Sequence, residues 1–336
     1  MSGERSDGRS RPSLDEVLGA VRRNLQAGSL GDSLSCGPFT LLQLLGEGGV
    51  AQVFAACRAG ADPSPTHAVK LMRPGIDSEE LLARFDRERS LLERLDHPGI
   101  IRVTDAGIHA SGSPWLAMPL VHGPAITVAA DVARLDLQAR LKLFISMVKA
   151  IAAAHGEGII HRDLKPANIL VEPVERKLQV RVIDFGLARA VSDAGRLTPS
   201  GVAHRMGTPD YMAPEQWALG LAACDARADV FALGIILGEL MSGCLPRATP
   251  ATSESTPTAK PARPRPAPSP VISPTAALDA LMQREPSMAR DLARRRSLSL
   301  RQLRAALTPV DGIVEQLTAA EPDRRPANAQ AVLDLL

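Results

Sequence analysis

The hydrophobic pattern of this chain changes period once along its length, and that change limits what it can fold into. Between Phe39 and about Met118, apolar residues fall in short runs at 40–45, 51–56, 67–72, 100–106 and 115–120, each of strand length. One stretch of helical spacing, 78–95, separates the third run from the fourth. From Leu135 onward the spacing is helical, most clearly over 141–155 and 229–242. The pattern predicts an α+β protein in two parts, a small sheet carrying one helix and a larger, mostly helical lobe, with a cleft between them.

Two segments stand outside that plan. Residues 1–12 are polar and rich in Arg and Ser, and Ser13 and Glu16 then form a capping-box pattern ahead of Leu14, Val17, Leu18, Val21 and Leu25. Residues 1–38 therefore read as a disordered tail plus one amphipathic helix, whose apolar stripe more often packs on its own protein than on a partner. Residues 246–275 hold nine prolines among Ser, Thr and Ala, a composition that core burial cannot compensate for ordering, and they read as a disordered insertion. Residues 260–304 then carry ten Lys or Arg against Asp279, Glu285 and Asp291. A solvated helix face beside a linker is the plainer account of this charge. A regulatory partner would meet either the N-terminal helix or this basic segment.

Composition removes several function classes. Over 336 residues the net charge is +2 and aromatic residues make up 3%, so neither a phosphate-backbone surface nor base-stacking platforms are supplied, and no nucleic-acid partner is expected. Cys36, Cys57, Cys224 and Cys244 are far apart, with no C-x-x-C pattern, which excludes a zinc ribbon. No apolar run of about 18 residues occurs, so no membrane span is expected and the default location is cytoplasmic.

The residues that carry chemistry come in a fixed order. Gly46-Glu47-Gly48-Gly49-Val50-Ala51-Gln52-Val53 lies between two strand-like runs, where glycines let a hairpin approach phosphates closely. Lys70 sits in an apolar strand 24 residues after Gly46; a Lys there either snorkels at an edge or is held by an anion. Glu88 on the following helix is its natural counter-ion. Then comes His161-Arg162-Asp163-Leu164-Lys165-Pro166-Ala167-Asn168, with Asp184-Phe185-Gly186 beginning sixteen residues after Asn168, and Ala213-Pro214-Glu215 beyond. Together, from about Phe39 to Leu336, these runs resemble the bacterial eukaryotic-like serine/threonine protein kinase family.

That resemblance implies a bilobal kinase-like fold, with an antiparallel-sheet small lobe and hinge over 39–121 and a helical large lobe over 122–336. It implies ATP and Mg2+ as cofactors and protein substrates with Ser or Thr acceptors. Lys70 would pair the α and β phosphates with Glu88 orienting it, Asp184 and Asn168 would ligate magnesium, and Asp163 would position and deprotonate the acceptor hydroxyl. Lys165 stands where the serine/threonine branch contacts the transferring phosphate. The nucleotide-binding set is Gly46, Gly48, Gly49, Val53, Ala68, Lys70, Met118, Pro119, Val121 and Leu170. Pro119 stands where the family has an acidic residue; it loses an N–H but keeps the carbonyl that pairs with adenine, beside the Val121 N–H. Ala51 replaces a third glycine. Asp229 resembles the residue that anchors the catalytic loop, Arg325 the partner of Glu215, and His161 a packed residue under Phe185. Arg162 resembles the reader of a phosphorylated activation loop, and Arg189, five residues beyond Asp184, would supply a second cation; Thr208 resembles the threonine that bonds the catalytic Asp and Lys, which leaves Thr198 and Ser200 as the expected acceptors.

Rival readings explain less. A pseudokinase scaffold would not need Lys70, Glu88, Asp163, Asn168 and Asp184 together. A small-molecule phosphotransferase would not need the Gly207-Thr208-Pro209 and Ala213-Pro214-Glu215 pattern, which resembles a platform for protein substrates. A docking module built on the insertion ignores the rest of the chain.

Overall fold

The computed structural model describes residues 35–47, 51–72, 95–109, 113–175, 177–185, 209–219, 224–247 and 269–336. The first lobe is a six-stranded antiparallel sheet in the order β1-β2-β3-β4-β6-β5. Its strands are β1 (Ser35–Cys36), β2 (Phe39–Glu47), β3 (Ala51–Arg58), β4 (His67–Met72), β5 (Asp105–Ile108) and β6 (Pro114–Pro119). Residues 35 and 36, which composition groups with the N-terminal tail, are part of this sheet: Cys36 pairs with Phe39 and is fully buried. Its small apolar side chain packs with Phe39, Leu41, Phe54, Val69 and Trp115 in the lobe's own core. The helical stretch expected at 78–95 and the N-terminal helix fall outside the described residues, apart from buried Leu95.

The second lobe is built around two apolar helices. After α1 (Ile126–Val132) come α2 (Leu137–Gly156), the hairpin β7 (Ile169–Val174) and β8 (Lys177–Val182), then α3 (Pro214–Leu219) and α4 (Ala226–Ser242). Asp136 caps α2 by accepting from the Ala139 N–H at 2.8 Å, and Asp225 caps α4. Helix α4 is buried around almost its whole circumference, in keeping with its long apolar run from Val230 to Leu237. It packs with Phe144, Met147 and Ile151 of α2. The chain closes with α5 (Pro274–Arg284), α6 (Pro286–Arg295), α7 (Leu300–Leu317) and α8 (Ala329–Leu333). Among the described residues no helix is long and apolar enough to cross a membrane.

The proline-rich insertion has narrower limits than its composition indicates. Arg247 forms an antiparallel bridge with Val271, Ser273 caps α5 by accepting from the Ala276 N–H, and Pro274 is the helix's first residue. A proline needs no N–H partner at that position, so the same residue type that marks an insertion also opens a helix. Residues 248–268 lie outside the described residues.

Between the lobes the chain passes through residues 120–123. The Leu120 N–H donates to Thr66 O at 3.0 Å, and the Val171 N–H donates to Pro124 O at 2.9 Å. Gly123 lies so close to β7 that a Cβ would sit 2.0 Å from Val171 O. Only glycine allows this crossing to rest on β7.

Candidate active site

The catalytic loop is held from below by one carboxylate. Asp229, in the first turn of α4, accepts from the backbone N–H groups of His161 and Arg162, each at 2.7 Å, and from His155 Nε2 at 2.9 Å. His155 Nδ1 accepts from the Ala329 N–H at 3.1 Å, so its proton resides on Nε2 and α8 fixes the tautomer. Burial alone would raise the Asp229 pKa, but the hydrogen bond from His155, with the His161 backbone N–H, holds it below the ordinary carboxylate value. Two consecutive amides bound to one carboxylate force a tight turn, and Arg162 takes φ +66°. A side chain in that left-handed region costs about 1–3 kcal/mol, which the surrounding contacts must offset.

His161 is committed to structure. Its Nε2 donates to Ile183 O at 2.9 Å, its Nδ1 accepts from the Asp163 N–H at 3.3 Å, and its ring packs 4.8 Å from Phe185. It therefore links the catalytic loop to the segment that carries Asp184, itself at φ +65°. A second link runs from the Ile183 N–H to Asn168 O at 2.9 Å.

Two lysine–aspartate pairs follow from this framework. Lys165 Nζ lies 2.8 Å from Asp163 Oδ2. Asn168, on the short 3-10 turn Pro166–Asn168, donates from Nδ2 to Asp163 O at 2.7 Å and approaches Asp163 Oδ2 at 3.3 Å. That bond turns the amide so that its oxygen Oδ1 is the end left for a ligand. Lys70, on β4 of the small lobe, reaches across to Asp184 Oδ2 at 3.0 Å. The sequence pairs Lys70 with Glu88; Glu88, Gly48, Gly49, Thr198, Ser200 and Thr208 lie outside the described residues.

Sheet register assembles the remaining residues. Val53 pairs with Lys70 and also with Gly46, and Ala68 pairs with Met118. Ala68 and Met118 are buried, while Val53, Val121 and Leu170 are half-buried. Leu170 lies on β7, where it forms a bridge with Ala125 just past the crossing. Gly46 is exposed, and among the described residues a Cβ there would meet no atom within 4 Å, so packing against them does not require its glycine. A cavity of about 660 Å³ lined by Val271, Gly312, Thr318 and Arg324 lies at the foot of the helical lobe and shares no residue with this site.

Magnesium suits this donor set. Asp184 carboxylate and Asn168 amide oxygens are hard donors, and two such groups are what Mg2+ takes when phosphates and water complete its shell. Among the described residues no cluster of three or more His, Cys, Asp or Glu forms a self-sufficient metal site.

Beyond the cleft, residues 210–216 are fastened onto α4. Arg325 grips Glu215 through both guanidinium arms at 2.6 and 2.9 Å, Tyr211 donates to Glu239 Oε2 at 2.6 Å, and Gln216 Nε2 donates to Arg162 O at 2.8 Å. Sequence reading pairs Glu215 with Arg325 but passes over His155, Gln216 and the Tyr211–Glu239 pair. His155 ends an apolar helical run six residues before His161, where core packing is the simpler account; the other residues bond across more than 25 positions, a distance no local pattern reveals.

The protein kinase domain family matches residues 39–332. Serine/threonine-protein kinase pkn3 of Myxococcus xanthus is 39% identical over 209 residues, covering 60% of this chain and 37% of that protein. PknA of Mycobacterium tuberculosis is 39% identical over 220 residues, covering 63% of this chain and 48% of PknA. The chain thus matches less than half the length of these relatives. Among solved structures, the Mycobacterium tuberculosis PknI kinase domain shares the fold with a TM-score of 0.58 at 23% identity, over 91% of this chain and 98% of that one. With the family matched from the first long strand to the last helix, and its bilobal fold present, the chain belongs to the protein kinase family.

Proposed function

We propose that the chain transfers the γ-phosphoryl group of ATP to serine or threonine hydroxyls of protein substrates. The observation that carries this reading is the pairing of Asp163 with Lys165 and Asn168 and of Lys70 with Asp184, by contacts of 2.7–3.3 Å within each set, with the two sets tied together through His161 and the Ile183–Asn168 backbone bond. Phosphoryl transfer is mostly positioning plus electrostatic stabilisation, and each residue has a task in it. Asp163 accepts the proton of the incoming hydroxyl and aims its oxygen. Lys165, tethered to the same carboxylate, faces the charge that develops on the transferring phosphoryl group. Lys70 neutralises the inner phosphates, leaving Asp184 to hold metal. Asp184 and Asn168 would hold magnesium, which would supply neutralisation of the phosphate charge. Pro119 O and the Val121 N–H pair with the adenine edge, with Val53, Ala68, Met118 and Leu170 as its apolar walls.

Purified chain incubated with Mg2+ and labelled ATP is expected to label itself or myelin basic protein, with hydrolysates containing phosphoserine or phosphothreonine and no phosphotyrosine. Nucleotide binding with no transfer to any protein would move the reading to a pseudokinase scaffold.

A further inference from the structure

Arg247 is a half-buried cation with no part in the mechanism. Arg247 follows α4 and donates through all of its nitrogens: Nε to Asp210 O at 2.7 Å, Nη2 to Met212 O at 3.2 Å and Nη1 to Ser269 O at 2.8 Å. Its guanidinium also lies 5.4 Å from the centre of the Phe231 ring on α4. Desolvation lowers its pKa from the ordinary arginine value, and an arginine keeps its charge even so. None of its three hydrogen-bond partners is a carboxylate. Its hydrogen bonds all go to backbone carbonyls, and the nearby Asp210 charge only partly offsets its desolvation.

Those carbonyls belong to two places that are remote in sequence. Asp210 and Met212 lie in the segment that leads into Ala213-Pro214-Glu215, and Ser269 is the first described residue after 248–268. The feet of that excursion are themselves joined by the Arg247–Val271 bridge and by the Ile272 N–H donating to Pro246 O at 3.1 Å. Arg325, which holds Glu215, lies 5.0 Å from the centre of the same Phe231 ring. Two guanidiniums over one aromatic ring therefore grip successive parts of one segment: Arg325 takes a side chain, and Arg247 takes the main chain.

The difference matters for what each grip controls. Arg325 and Tyr211 keep residues 210–215 attached to α4. Arg247 holds the carbonyls of 210 and 212, so its loss leaves the segment attached by its other contacts but with those two peptide planes less firmly set. On the reading of this segment as a platform for protein substrates, a bound peptide would meet a less ordered surface. Nucleotide, held by the hinge and by Lys70 and Asp184, would not sense the change.

We propose that Arg247 is a positioning residue for the protein substrate, holding the backbone of residues 210–212 to the feet of the proline-rich excursion. This rests on the reading of the chain as a protein kinase. The test compares Arg247→Met, which keeps length but loses every donor, and Arg247→Lys, which keeps charge but offers one compact head to three carbonyls. KM for myelin basic protein, KM for ATP, kcat and melting temperature are measured on the full chain. Arg247→Met is expected to raise KM for the protein about tenfold while KM for ATP and kcat stay within twofold, with Arg247→Lys intermediate. If Arg247→Met does not fold, a rise of threefold or more in protein KM for Arg247→Lys at unchanged ATP KM supports the role, and a smaller change overturns it. Unchanged protein KM in a folded Arg247→Met variant, or a parallel loss in both KM values and kcat, also overturns it. A wild-type chain that phosphorylates no protein rejects the kinase reading and this role together, whereas an active wild type with insensitive variants rejects this role alone.

Discussion

Asp163 and Asp184 are the same residue type 21 positions apart, yet their partners assign them different work. Asp163 is bound to Lys165 and Asn168, both on its own loop; Asp184 is bound to Lys70 from the other lobe. Asp163→Asn is expected to lower turnover by about 10²–10⁴-fold, the usual range for a positioned general base, while nucleotide affinity stays within about threefold of the parent. Asp184→Asn is expected to weaken Mg2+-dependent nucleotide binding as well. Nucleotide titration with and without Mg2+, beside turnover, separates the two, and Asp163→Asn turning over at a rate near wild type would remove Asp163 as the base. At this scale the sequence was informative because the loop from His161 to Asn168 is local: Lys165, Asn168 and Asp163 bond within five positions of one another. The residues that aim the loop were legible only in part. Asp229 was found through its motif, but His155 reaches Asp229 across 74 positions and Ala329 across 174, and only the fold brings those together.

Helix α4 is the element on which both the catalytic loop and the 210–216 segment rest, and its apolar run was evident from spacing alone. Its one half-buried acid was not interpretable in advance. Glu239 has its pKa raised by burial, partly countered by the Tyr211 hydroxyl, and Tyr211 is itself raised by burial and by Glu239, so it remains a donor through neutral pH. Because the folded pKa of Glu239 lies above its ordinary 4.5, its contribution to stability is fully present below that value and is lost as pH rises through the folded pKa. Tyr211→Phe removes the group that lowers this pKa and raises it further. The loss is then small in acid and larger at neutral pH, where an unsatisfied buried acceptor costs about 1–3 kcal/mol. The gap in melting temperature between wild type and Tyr211→Phe is expected to widen as pH rises from the acid range through neutrality. A gap independent of pH would mean that the hydroxyl acts through packing and not through Glu239.

Across the whole molecule, the two lobes and the cleft follow from the change in hydrophobic period, because strand and helix spacing survive wherever a face must be buried. Boundaries did not follow as well. Composition merges residues 246, 247 and 269–275 with the excursion, although Pro246 packs on Gly238, Arg247 clamps residues 210–212 and Ser273-Pro274 opens α5. A window rich in proline averages over positions where proline and serine serve a helix start. The distinction gives contrasting outcomes for two deletions. Replacing 249–267 with a short Gly/Ser turn keeps both feet, which already meet at the Arg247–Val271 bridge. Loop-closure cost varies by only about 0.6 kcal/mol per doubling of length, so the melting temperature and the KM values for ATP and myelin basic protein are expected to stay close to wild type. Extending the deletion to 246–273 removes the Ser273 cap, worth about 1 kcal/mol, together with the Arg247 clamp. That chain is expected to melt at a lower temperature and to lose affinity for protein substrate before it loses affinity for ATP. Equal behaviour of the two deletions would show that the feet contribute nothing. A raised protein KM in the short deletion alone would place substrate contacts within 249–267, so that the excursion and not its base serves the substrate.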